Sequence, residues 1–156
     1  MNKMSVTPMT SIHWDTVTRL RRLYAQAMDP VCRRFDLTAN EMGVLLFLAN
    51  NPQYTRAADI VNVRGIAKSH VSAAVSALEK RGWLAQEPDA GDRRSMKLTL
   101  LPDSREAVAA GQDLQRRFGS AVFEGFPRDE QEKAQLFLKK INENLDKIAK
   151  EQPFHG

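Results

Sequence analysis

The sequence predicts a mainly α-helical protein with a small β-hairpin: a winged helix-turn-helix flanked by N- and C-terminal dimerisation helices. Three observations carry this reading. Apolar residues recur at helical spacing over most of the chain, period-two alternation is confined to one stretch near residue 96, and glycine and proline divide the two regimes.

The 156 residues are 42% hydrophobic, enough for one domain with a core, 1–156, holding a DNA-binding unit over 38–101 and dimerisation helices over 11–35 and 103–150. Residues 1–10 read as loose. From Ser11 to Phe35, Trp14, Val17, Leu20, Tyr24, Met28, Val31 and Phe35 return every three or four positions, giving a long amphipathic helix that Asp29-Pro30 bends or restarts. Thr38-Ala39-Asn40-Glu41 is a capping box with Leu37 and Met42 as its staple. The helix it opens runs to Ala49, with Leu45, Leu46 and Leu48 as core residues, and stops at Asn50-Asn51-Pro52. A short helix capped by Thr55 follows, with Ile60 and Val61 turned inward.

Gly65 punctuates the next start. From Ala67 to Arg81 a narrow stripe of Val71, Ala74, Val75 and Leu78 faces inward, and Ser69 is the available cap. The outward side holds Lys68, Ser69, Ser72, Ala73 and Ser76, with His70 beside them. Short and cationic side chains leave that face thin, as a helix entering a major groove about 12 Å wide requires. Gly82 ends the helix, and strands follow at Trp83–Glu87 and Ser95–Leu100, joined by a turn over residues 88–94 that carries Arg93 and Arg94 at its tip. Helix, then cationic hairpin, is the outline of a winged helix-turn-helix. Between Thr55 and Pro102, eight basic residues, Lys97 among them, stand against five acidic ones, so +3 of the formal +4 lies in this unit. The pI near 9.4 favours an acidic partner.

Helices over Ser104–Phe123 and Arg128–Lys150 close the chain, the latter acidic early and lysine-rich late, as its dipole favours. Their apolar stripes, with that of the first helix, exceed what the winged unit has surface to bury, which calls for a second subunit.

Lys68-Ser69-His70-Val71-Ser72, Leu78-Glu79-Lys80-Arg81-Gly82-Trp83-Leu84 and Asp92-Arg93-Arg94-Ser95 resemble signatures of the MarR family of bacterial transcriptional regulators, over about Ile12 to Ile148. The resemblance implies a homodimer on a pseudo-palindromic double-stranded operator, its recognition helices about 34 Å apart. Arg94 would enter the minor groove, Asp92 would hold its guanidinium, and Arg93 would lie near phosphate. It further implies a repressor released by a small-molecule effector bound between the dimer helices and the DNA unit. Trp14, Tyr24 and Arg22 are placed for such a crevice, though core packing accounts for the aromatics equally well. Thiol-based redox sensing through Cys32, with Tyr24 as hydrogen-bond donor and Arg33 and Arg34 lowering the thiol pKa, is an alternative, against which stands the commoner reading of Cys32 as an inert packed side chain. A winged-helix protein-interaction module built on the alanine-rich α-helical face is another.

Nothing points to an enzyme, a cofactor or a metal: His13, His70 and His155 lie apart, without a phosphate loop or a metal-spaced Cys/His set. One cysteine excludes an intramolecular disulfide, and no run is long and apolar enough to span a bilayer or serve as a signal core, so a cytoplasmic location is expected.

Overall fold

A computed structural model describes residues 11–154, except the side chains of Ser11, Ile12, Asp92 and Arg93. The expectations for residues 1–10 and His155 lie outside the described residues. The elements are α1 (Ser11–Arg34), α2 (Ala39–Asn50), α3 (Ala57–Arg64), α4 (Lys68–Lys80), β1 (Leu84–Asp89), β2 (Asp92–Leu100), a 3-10 turn (Pro102–Ser104), α5 (Arg105–Val122) and α6 (Arg128–Glu151). Two compact units divide after Phe118.

In the first unit the core is centred on α2. Met42 and Val44 through Leu48 are all buried, so this helix is covered on nearly every side, more than the three predicted leucines. Ile60, Val71, Val75, Leu78, Leu84, Leu98, Ala107 and Leu114 close around it. The start of α2 follows the capping logic: the Glu41 amide donates to Thr38 Oγ1 at 3.1 Å, while the Thr38 hydroxyl donates to Glu41 Oε1 at 3.0 Å. The carboxylate is thus engaged by the hydroxyl.

Three local expectations are corrected. α1 does not restart at Pro30 but continues through it, its flanking Met28 and Cys32 being buried in the core that carries the helix past the missing amide. α3 begins after Arg56, whose amide donates to Asp59 Oδ2 at 3.0 Å, because the carbonyl of the expected cap, Thr55, is taken by the Leu98 amide at 2.7 Å. The hairpin strands reach further than the turn residues suggest, leaving only Ala90 and Gly91 between them. Arg93 and Arg94 therefore stand on β2.

The second unit comprises the end of α5, a turn and α6. Phe123 and Phe126 meet edge-on at 5.5 Å, and Gln131 Nε2 donates to the Phe126 carbonyl at 2.9 Å. Along α6, Phe137, Leu138, Ile141, Leu145 and Ile148 are all exposed on the single chain.

Candidate nucleic-acid interface

Gly65 closes α3 with a left-handed φ of 65°, its amide reaching the Val61 carbonyl at 2.9 Å, and the chain turns into α4. α4 starts at Lys68 without a side-chain cap. Ala67 occupies the cap position, its carbonyl accepting from the His70 and Val71 amides, so Ser69 lies inside the first turn and is not the cap.

The two faces of α4 separate as its periodicity requires. Val71, Ala74, Val75 and Leu78 are buried, whereas Lys68, Ser69, His70, Ser72, Ala73 and Ser76 are all exposed. No carboxylate interrupts this outward set, and its side chains are short apart from Lys68 and His70. Such a surface admits close approach of a groove floor and carries hydroxyl donors and acceptors, a methyl and a cation to meet it.

The hairpin pairs Leu84 with Leu100, Gln86 with Leu98 and Pro88 with Met96, then shifts register to pair Asp89 with Asp92. Pro88 has no amide to donate, and Arg93, Arg94 and Ser95 pass with no residue opposite them on β1, a bulge in β2. Arg94 and Lys97 are exposed, Lys97 standing across the ladder from Glu87. Of the alternating apolar residues of β2, Leu98 is buried whereas Met96 is 42% exposed. The side chains of Asp92 and Arg93 lie outside those described, so the proposed Asp92 support of Arg94 is not part of this geometry.

The sequence did not point to Arg56. Its guanidinium donates to Asp89 Oδ2 through Nε at 3.2 Å and Nη2 at 2.7 Å, joining the entrance of α3 to the outer end of the hairpin. The Gly91 amide donates to Asp89 Oδ1 at 3.1 Å. The Arg56 bond, then the Gly91 amide, hold the Asp89 carboxyl below the usual carboxylate range.

Cys32 is buried in the core beside Met28. Burial, and after it the nearby Asp29 charge, push its thiol above the ordinary value of 9.0. Arg33 is instead paired with Asp29 at 3.0 Å, and Arg34 lies over the Phe35 ring at 4.8 Å. The Tyr24 hydroxyl accepts from Gln115 Nε2 at 2.9 Å. Among the described residues no cluster of His, Cys, Asp and Glu is arranged to hold a metal, and no helix is long and apolar enough to cross a membrane.

Residues 35–95, from the end of α1 through the bulge, match the sequence model of the MarR family. The match spans the helix-turn-helix and most of the hairpin, the part of the chain that carries α4 and the wing. It is 32% identical over 102 residues to the HTH-type transcriptional regulator PecS of Dickeya dadantii, covering 64% of this chain and 60% of that regulator's length. The MarR fold recurs in a Listeria monocytogenes regulator whose crystal structure is a complex with a 26mer DNA, at a TM-score of 0.77 and 18% identity, over 90% of this chain and 93% of that one. Bordetella bronchiseptica BpsR, whose structure concerns regulation of its DNA binding by 6-hydroxynicotinic acid, aligns with a TM-score of 0.62 at 24% identity, over 81% of this chain and 96% of BpsR.

Proposed function

We propose that this chain is a member of the MarR family and a homodimeric, sequence-specific DNA-binding transcriptional regulator, a repressor released by a small-molecule effector. The observation that carries the reading is the exposed, carboxylate-free face of α4, from Lys68 to Ser76, in one compact unit with a hairpin bearing Arg93, Arg94 and Lys97. α4 reads base edges through Ser69, His70, Ser72, Ala73 and Ser76, while Lys68 and Arg93 meet phosphates. Arg94, held by Asp92, enters the flanking minor groove.

The dimer follows from apolar surface left open on one chain. Trp14, Val17, Leu20 and Leu23 of α1 are at least 43% exposed, and α6 leaves its whole stripe open. Covering each of these surfaces with a second copy removes it from solvent, and the resulting pair sets two α4 helices on one pseudo-palindromic site. An effector releases the DNA when it binds the incompetent spacing of those helices more tightly than the competent one. The effector regulation of BpsR supports this last step by analogy.

Selection from a random duplex pool at two salt concentrations tests the reading. A pseudo-palindrome whose affinity falls with salt is the expected product. No enriched motif, with weak binding lost at physiological salt, would turn attention to a protein partner.

A further inference from the structure

The hairpin is fastened to the body twice, by two consecutive residues. At its inner part the Thr55 carbonyl takes the Leu98 amide at 2.7 Å, and at its outer end Arg56 grips Asp89 through two nitrogens on one oxygen. The other oxygen of Asp89 holds the Gly91 amide of the turn. One carboxylate therefore joins three things: the entrance of α3, the tip of the wing and the point where the strand register changes.

That point is where the wing arginine leaves the ladder. Because Pro88 cannot donate, pairing stops at Met96 and resumes at Asp92, and Arg94 sits in the intervening bulge. A two-stranded hairpin by itself is marginally stable, so an outside anchor sets its direction. The Arg56–Asp89 side chains are 40% and 24% exposed, against 94% and 66% for Arg128 and Glu132 on α6, so solvent screens this pair far less than an ordinary helix-surface pair.

We infer that Asp89, gripped by Arg56, is a positioning residue that sets the direction in which Arg94 meets the minor groove. The inference rests on the DNA-binding reading above and adds to it a residue that touches no DNA. Asp89 acts through Arg94, so its removal matters only while Arg94 is present.

The test is a double-mutant cycle on the duplex selected by the wild-type protein, and on a copy with the A·T pairs flanking each half-site changed to G·C. Asp89→Asn keeps an oxygen for the Gly91 amide and removes the charge held by Arg56. It is expected to weaken binding about tenfold, as Arg94→Ala does, and to lose the preference between the two duplexes. The double variant is expected to bind no more weakly than Arg94→Ala alone. Arg56→Gln leaves the hairpin sequence intact and is expected to repeat the Asp89→Asn result, which covers the case of a misfolded hairpin variant. Wild-type affinity in both Asp89→Asn and Arg56→Gln, wild-type affinity in Arg94→Ala, or losses that multiply in the double variant would each overturn the inference. Failure of the wild-type protein to select any duplex would instead sink the DNA-binding reading, and this inference with it.

Discussion

Arg81 Nη1 donates to the Asp36 carbonyl at 2.7 Å, and its Nη2 reaches the neighbouring Phe35 carbonyl at 2.8 Å. The guanidinium also lies 3.9 Å from the centre of the Trp83 ring. Asp36 lies two residues beyond the end of α1, with φ at 53°, and Arg81 occupies the C-cap of α4. One side chain thus satisfies two carbonyls released at the end of α1 and fastens them to the end of α4. A shift of α1 relative to α4 must break these bonds or carry α4 with it.

Arg81→Ala is accordingly expected to lower stability by about 1–2 kcal/mol, the worth of such charge-assisted bonds at a partly solvated site. Arg81→Lys is expected to recover little of this, since an ammonium cannot span both carbonyls and lie flat on an indole. Denaturant unfolding at fixed protein concentration decides it; full recovery by lysine would show that charge alone matters.

Where α5 crosses α2, a Cβ at Gly111 would lie 2.9 Å from Leu46 Cδ2 and 3.1 Å from Met42 Sδ. Both neighbours are 1% exposed and have nowhere to withdraw. Gly111→Ala gains up to about 1 kcal/mol in helix propensity and loses about 1–3 kcal/mol to overpacking, so a net loss is expected in thermal unfolding. A raised melting temperature would mean that the crossing has slack.

Two titrations bracket the stability profile. The Cys32 thiol is raised in the folded chain, so its contribution is complete below pH 9.0 and is lost as pH climbs beyond that value. Asp89 is lowered, so its contribution is present above 3.8 and disappears as pH falls below it. Between these limits both are constant. Iodoacetamide should modify native Cys32 far more slowly than the unfolded chain at pH 8; equal rates would reopen thiol sensing.

The open stripe on α6 predicts a change of mass. Leu138→Asp, placed where the side chain is 52% exposed on one chain, is expected to shift the protein from two chains to one in light scattering with its helix content retained. An unchanged dimer would place the interface elsewhere.

Legibility followed locality. The start of α2 was readable because Thr38 and Glu41 satisfy each other within one turn. The faces of α4 were readable because one buried stripe at helical spacing leaves only one way to orient the helix. The errors arose where distant groups intervened. Thr55 looks like a cap until its carbonyl is claimed by Leu98, forty-three residues on. The stretch from Pro88 to Arg94 reads as a long turn because nothing local reveals that Asp89, held by Arg56, pairs with Asp92. Arg56 itself carries no motif, and only the folded chain shows what it grips.

The most direct measurement is the affinity of the wild-type protein for its selected duplex from about 50 to 200 mM salt, beside Arg94→Ala. If α4 and the wing of two chains meet phosphates as proposed, log K falls linearly with log salt, the affinity itself dropping by a factor of about 10³–10⁵ over that range for six to ten contacts, and Arg94→Ala binds about 1–3 kcal/mol more weakly. Salt-independent affinity, identical in the two proteins, would contradict the account.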